Sequence, residues 1–251
     1  MVSIVVLGSA SAVPDENHAN THFAIKSKKR MILVDCVGSP IVRLSKAGLD
    51  YRELSDIFLT HFHPDHISGV PSLLMNMWLL GHRKPLNVYG LKATIDSLEQ
   101  LMDAYGWDDW PNFFPITFHR LPESRMTLAL DDAEFRIFSS PVRHLVPTMG
   151  LRIEARQIGK VIAYSCDTEP CIEVEELASG VDILIHEATG ETRGHSSAYQ
   201  AGEMAQKAQA KSLYLIHYSP RNGNLQQLIA EANRSFSGTT TLSKDFMEIQ
   251  L

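Results

Sequence analysis

The chain has 251 residues, 44% hydrophobic and 21% charged, an ordinary balance for a water-soluble globular protein with enough chain for a substantial core. Its 23 basic against 29 acidic side chains give a formal charge of −6, which argues against a protein that coats nucleic acid by neutralising phosphate. Bound divalent metals would still supply positive charge where a phosphate sits. The cysteines Cys36, Cys166 and Cys171 are too few for a disulfide framework and fit a reducing compartment. Val2–Leu7 is too short for a signal-peptide core, and Val70–Leu80, broken by Pro71 and Asn76, is too short to span a bilayer. The expected location is the cytoplasm, with no membrane partner. No repeat or Pro/Gly/Ser-rich linker divides the chain, so residues 1–251 read as a single domain.

Taken in order, Val2–Leu7 reads as a strand. Thr21–Ile25 and Arg30–Val34 read as two strands joined by the polar turn Lys26–Lys29. Ser39-Pro40 opens a short helix that Gly48 closes. Asp56–Thr60 is a buried strand. An apolar helix follows within Ile67–Leu80, starting near Pro71, then a strand at Leu86–Gly90 and an amphipathic helix at Thr94–Tyr105. Trp107–Pro115 is irregular and aromatic, a lid over a pocket or core packing beneath a loop. Short strands follow at Ile116–Arg120, Met126–Leu130, Glu134–Ser139, Thr148–Glu154 and Lys160–Tyr164. A helix at Cys171–Ala178 and a strand at Val181–Ile185 come next. Ser196 is the expected cap of a helix at Ala198–Ala208. A strand at Ser212–Ile216, a helix at Leu225–Asn233 and strands at Thr239–Thr241 and Phe246–Ile249 close the chain. Many short strands with helices at intervals suggest two packed sheets covered by helices.

The chemistry concentrates in Thr60-His61-Phe62-His63-Pro64-Asp65-His66-Ile67-Ser68-Gly69. Three histidines and an aspartate fall within six positions after a strand. Imidazole with carboxylate suits zinc and similar borderline cations. One mononuclear site rarely takes four donors from one loop. Two adjacent sites would, with His61 and His63 on one ion and Asp65 and His66 on the other. Further candidates stand where strands end: His144, Asp167 and His217. Each alone reads as an ordinary hydrogen-bonded or surface residue, and only the set argues for a metal site. Cys166 directly precedes Asp167, so strand alternation points it away from whatever Asp167 faces and makes it a buried thiol rather than a ligand. His18, His22, His82 and His119 have no placed role.

This pattern resembles the metallo-β-lactamase superfamily, nearly end to end. The resemblance implies an α/β fold of αββα type, a four-layer sandwich of two mixed sheets flanked by helices. It implies two zinc ions, with Mn2+ or Fe2+ as substitutes. His61, His63 and His144 would hold one ion, Asp65, His66 and His217 the other, and Asp167 would bridge. Asp35 either orients a ligand histidine or caps a strand end. Within the superfamily the chain looks most like ribonuclease Z, the enzyme that trims tRNA 3′ ends. The resemblance is carried by Leu7-Gly8-Ser9-Ala10-Ser11-Ala12-Val13-Pro14, His186-Glu187-Ala188-Thr189, Gly194-His195-Ser196-Ser197, His217-Tyr218-Ser219-Pro220-Arg221 and Lys244-Asp245-Phe246-Met247.

That family usually carries a long arm after the equivalent of His144, which grips tRNA. Here the next strands follow at once. Asp35-Cys36-Val37-Gly38-Ser39-Pro40-Ile41 departs from its DCGEGTQ segment, and Asn222 stands where a tyrosine is expected. The implied activity is phosphodiester hydrolysis by a metal-bridging hydroxide, because coordination lowers the pKa of bound water to about 7. Asp65 would accept the nucleophile's proton. His195 would be the general acid, or else a polar cap beside the next helix. His186 and Glu187 would orient it. Ser219 and Arg221 would meet a substrate phosphate, Arg221 reading equally well as a solvated arginine. RNA 3′ ends lead as substrate. A small phosphodiester such as a cyclic nucleotide is the alternative, ahead of a thioester or lactam and of a non-catalytic metal scaffold. A homodimer is the assembly implied by analogy.

Overall fold

The computed structural model describes residues 2–221 and 224–251, so Asn222 lies outside the described residues. One seven-stranded sheet has the order β14 (Glu248–Gln250), β1 (Ser3–Gly8), β2 (His22–Lys26), β3 (Met31–Val34), β4 (Leu54–Leu59), β5 (Leu86–Leu91) and β6 (Ile116–Leu121). The other runs β13 (Thr239–Leu242), β12 (Ser212–Ile216), β11 (Ile183–Glu187), β10 (Lys160–Tyr164), β9 (Thr148–Ala155), β8 (Phe135–Val142) and β7 (Thr127–Asp131). Both sheets are mixed. β3 to β6 pair in parallel, as do β10 to β13, while the remaining neighbours are antiparallel. The expected αββα sandwich is the observed one.

Strand alternation builds the layers. In β1, Ile4 and Val6 face the core between the sheets, while Val5 and Leu7 face helices. Strands covered on both faces read as unbroken apolar runs, which is why Met31–Val34 and Ile57–Leu59 carry no polar alternation. Helices α1 (Pro40–Lys46), α3 (Val70–Leu79) and α4 (Lys92–Ala104) cover the first sheet, with the short α2 (Pro64–Ile67) at its edge. Helices α5 (Ile172–Leu177), α6 (Ala198–Lys207) and α7 (Gln226–Ala232) cover the second. Among the described residues no helix is long and apolar enough to cross a membrane.

One local expectation shifts and two are met or decided. The apolar helix begins at Val70, near Pro71 as expected, with the proline in its first turn where no N–H partner is needed. Ser197, not Ser196, caps α6. Its hydroxyl accepts from Gln200 N–H while the Gln200 side chain accepts from Ser197 N–H. Ser196 Oγ instead donates to Thr168 O at 2.6 Å. Trp107–Pro115 packs on the outer face of the first sheet. Trp110 stacks on Trp78 at 5.0 Å, and Trp107 meets Phe113 and Phe118 edge-on or tilted. None of these residues lines the cavity described next.

Parallel strands end on one edge, and their loops meet there. Asp35 follows β3, His61 follows β4, Asp167 follows β10, Glu187 ends β11 and His217 follows β12. Asp35, Cys166 and His217 have φ of 58°, 54° and 51°. The left-handed backbone, uncommon for non-glycine residues, turns each chain sharply out of its strand.

Candidate metal centre

The histidine loop is held as a unit before any ligand is considered. His63 precedes α2, whose first residue is Pro64, so Asp65 and His66 sit in its single turn. Cys36 N–H donates to His66 O at 2.8 Å and Gly69 N–H to Cys36 O at 2.9 Å. A Cβ on Gly69 would come 2.7 Å from the Val37 carbonyl carbon, so only glycine lets these two loops touch.

Two groups of donors result. His63 Nδ1 lies 3.0 Å from His61 Nε2 and 3.2 Å from His144 Nε2. His66 Nε2 lies 3.6 Å from Asp65 Oδ2 and 3.5 Å from Asp167 Oδ2. His217 Nε2 lies 3.5 Å and 3.4 Å from the same two oxygens. Asp167 Oδ2 is also 3.9 Å from His144 Nε2, which stands it between the groups. Ligand atoms on a tetrahedral zinc with bonds of about 2.1 Å are roughly 3.4 Å apart, so these spacings suit a cation at each group.

Hydrogen bonds on the far side of each ring fix which nitrogen is bare. His66 Nδ1–H donates to Asp35 Oδ2 at 2.8 Å and His144 Nδ1–H to Gly194 O at 2.7 Å. Thr189 Oγ donates to His217 O, so it accepts from His217 Nδ1–H at 2.9 Å. Thr60 Oγ donates to Asp35, so it accepts from His61 Nδ1–H at 3.2 Å. All four imidazoles therefore turn a lone pair on Nε2 toward the centre. His66 Nε2, His217 Nε2 and Asp167 Oδ1 are buried without a hydrogen-bond partner among the described residues. A proton donor does not answer such a set, and a cation does. The residues fit a divalent metal pair.

The electrostatics agree. Burial opposes charge on His66, yet the Asp167 and Asp35 carboxylates raise its imidazole well above its ordinary pKa. Burial also opposes ionisation of Asp167, and the His217 and His66 rings nonetheless hold its carboxyl well below the usual range. His61 and His144, buried with fewer carboxylates at hand, stay neutral, their pKa values lowered chiefly by desolvation. The centre favours positive charge beside Asp167 and neutral rings at His61 and His144.

Asp35 does both jobs the sequence left open. It accepts Thr60 N–H at 2.9 Å beyond the strand end, and it orients His66. Glu187 is a hub. Its Oε1 accepts from Thr168 N–H, Ser196 N–H and His195 Nδ1–H, and its Oε2 from Thr189 N–H, all between 2.9 and 3.1 Å. His195 is half-buried. Desolvation works against its charged form, but Glu187 outweighs this and raises its pKa. The His195 ring lies 4.9 Å from that of His144 and lines a cavity of about 390 Å³ with His63, Asp65, Asp167, His217 and Ser219. His186 is not brought there. Alternation turns it to the other face of β11, where Nδ1–H donates to Glu187 O. Arg221 is exposed, its guanidinium on Pro14 O at 3.3 Å. Cys166 does not point clear of the site, since its left-handed backbone breaks the alternation and sets Sγ 3.6 Å from His61 Nδ1, behind the ring.

Sequence reasoning missed Thr60, Thr189 and Gly194. Gly194 has φ of +82°, and a Cβ there would come 3.0 Å from His144 Nδ1. It also missed that Ser9, Tyr218 and Asp245 form one chain of bonds, Tyr218 OH to Ser9 Oγ at 3.1 Å and Ser9 Oγ to Asp245 Oδ1 at 2.7 Å, with Arg43 paired to Asp245. This network ties the opening loop to the loop after His217.

The family model described as Anti-Pycsar protein Apyc1 matches residues 2–237. The chain belongs to that family. This Apyc1-family chain is also 28% identical, over 305 residues, to a ribonuclease Z of Methanothermobacter thermautotrophicus, covering 100% of the chain and 97% of the relative. Its fold is that of the Bacillus subtilis metallo-β-lactamase fold protein YhfI, at a TM-score of 0.85 and 22% identity over 99% of this chain and 98% of that one. The short form of human tRNase Z, ELAC1, aligns at a TM-score of 0.80 and 24% identity over the same shares. The chain is a metallo-β-lactamase-fold, metal-dependent hydrolase. An alignment of 305 positions against 251 residues means the ribonuclease Z carries segments this Apyc1-family member lacks. Only residues 143–147 join β8 to β9, and residues 156–159 join β9 to β10.

Proposed function

We propose that the chain is a dinuclear zinc phosphodiesterase whose substrate is a small phosphodiester such as a cyclic nucleotide. The observation that carries the chemistry is the pair of adjacent donor groups with Asp167 standing between them and His195 lining the same cavity. In this reading His61, His63 and His144 would hold one ion and Asp65, His66 and His217 the other, with Asp167 standing between the two groups. The bound metals supply an activated water and polarise a phosphoryl oxygen. Asp65, partly exposed to the cavity, takes the proton released by the nucleophile. His195 donates from Nε2 to the departing oxygen, because Glu187 holds the proton on Nδ1 and stabilises the imidazolium. Ser219 offers a hydroxyl to a phosphate oxygen, and Arg221 stands at the outer rim.

The absence of any element between β8 and β9 beyond a short link, together with the acidic chain, favours a substrate held by the cavity alone. The curated relatives named ribonuclease Z favour a second reading, processing of tRNA 3′ ends. A cytoplasmic location, a single domain and a homodimer complete the proposal. The test uses zinc-loaded protein, with a chelated control, on cyclic nucleotides, bis(p-nitrophenyl) phosphate and a precursor tRNA bearing a 3′ trailer. Chelator-sensitive turnover of the small substrates alone supports the first reading. Cleavage at the trailer junction supports the second. Inertness to all by protein holding two metals refutes both.

A further inference from the structure

Glu169 stands two residues after Asp167 and is not among the described residues that line the cavity. It is bonded to two other loops that carry the site's side chains. Its N–H donates to Arg143 O at 2.8 Å, directly before His144, and the two residues form an antiparallel bridge. Its side-chain Oε1 accepts Gly194 N–H at 2.8 Å, directly before His195. Gly194 O in turn accepts His144 Nδ1–H. These bonds close a ring through three segments, of which one carries Asp167, one His144 and one His195.

Gly194 is the joint of that ring. Its φ of +82° lies in the region open to glycine. The exposed residues 191–193 lead into it, so packing does little to hold its approach. Glu187 fixes the His195 ring and Ser196 N–H, both beyond Gly194. Gly194 itself is buried, and its N–H is answered by the Glu169 carboxylate. Without that acceptor a buried N–H is left unpaired and the chain is free to turn about Gly194. The C=O that orients His144 and the backbone that carries His195 would then move together. We infer that Glu169 is a positioning residue, which through Gly194 sets the His144 imidazole toward its metal and the His195 imidazole toward the departing oxygen. The role needs one acceptor oxygen at fixed reach, so glutamine should serve and alanine should not.

This inference rests on the phosphodiesterase reading. The test compares the protein with Glu169→Gln and Glu169→Ala. Zinc affinity is read by competition with a chromogenic chelator. Rates are read as kcat and KM for bis(p-nitrophenyl) phosphate at saturating zinc, and Tm is read on zinc-free protein. Glu169→Ala should bind zinc about tenfold less tightly, the lower end for a partner that orients a ligand histidine. It should also lose about tenfold in kcat through misplacement of His195, with KM within about twofold. Glu169→Gln should recover both to within about threefold of the parent, because it keeps the acceptor. A fall in Tm alone, with parental zinc affinity and kcat, is what a purely structural acid gives and overturns the inference. Equal losses in the two variants overturn it as well, because the acceptor is then not what matters. If Glu169→Ala does not fold, Glu169→Asp takes its place, withdrawing the acceptor by one methylene, and parental affinity and kcat in it overturn the inference. If the parent hydrolyses no phosphodiester, the enzymatic reading is what fails, and the zinc comparison still decides whether Glu169 positions His144.

Discussion

Replacing Asp35 by asparagine removes one negative charge and almost nothing else. The residue is fully buried and sits at φ 58°, a left-handed conformation that asparagine tolerates as well as aspartate, so the backbone has no reason to move. Its oxygens take Thr60 N–H, Thr60 Oγ–H and His66 Nδ1–H, all within 3.0 Å. An amide has one acceptor oxygen. Whichever way it turns, its NH2 faces a donor. Through His66 and, by way of Thr60, His61, the change reaches both donor groups. Losing a partner that orients a metal-ligating histidine costs about 10- to 100-fold in metal affinity, equal to about 1.4–2.7 kcal/mol. At fixed free zinc the same amount is lost from the metal-linked part of stability. The assay is zinc competition against a chromogenic chelator, paired with thermal unfolding with and without zinc. Zinc should raise Tm less in Asp35→Asn than in the parent. Zinc affinity within about threefold of the parent, in a variant whose zinc-free unfolding is also unchanged, would refute the reasoning.

Asp167→Ala should lose bound metal outright, whereas His195→Ala should keep it and lose turnover by about 10²- to 10⁴-fold; metal analysis showing the His195 variant empty would sink its role as acid. Gly194→Ala should add about 1–3 kcal/mol of backbone strain and push on His144, so both Tm and zinc content should fall, and a fully metallated variant of parental Tm would contradict the close approach. Asp182 is the stability probe. Burial opposes its ionisation, but Lys211, Val161 N–H and Lys160 outweigh that and bring its pKa down to about 2. A depressed carboxyl stabilises the fold above its ordinary value of 3.8 and stops doing so as pH falls through about 2. Denaturant titrations should find Asp182→Asn weaker by about 1–2 kcal/mol near neutral pH, the gap closing toward pH 2. A gap that is constant with pH would show that the lysine pairs contribute nothing.

The donor loop is legible because His61, His63, Asp65 and His66 are close in sequence and carry their chemistry in their side chains. The two-sheet sandwich is legible because apolar runs of strand length recur between turn residues. Other features depend on backbone conformation or on distance in the chain. Nothing in the letters announces left-handed φ at Cys166 or His217, so alternation misplaced the thiol. The resemblance implies that His186 and Glu187 both orient His195, whereas alternation along β11 puts them on opposite faces and leaves only Glu187 beside it. The choice between Ser196 and Ser197 as cap is legible, since only Ser197 has a glutamine, Gln200, three residues on to complete a capping box. The bond from Tyr218 to Ser9 spans 209 positions, beyond the reach of any pattern in a window.

The centre draws His61, His63, Asp65 and His66 from the first sheet's edge, and His144, Asp167 and His217 from the second's. Each donor group thus has members from both halves of the sandwich, and Met149 N–H crosses the same seam to Thr60 O at 3.1 Å. Deeper in, Phe23 meets Tyr164 edge-on at 5.0 Å across the gap between the sheets. Metal held at that seam would act as a gauge of sheet separation. Metal–ligand bonds tolerate only about 0.2 Å of error, while an overpacked or emptied core shifts its walls. Substitutions at Phe23 or Tyr164, far from any donor atom, would therefore register as altered metal affinity, and a tight metal site is in turn a constraint on how the interior can drift.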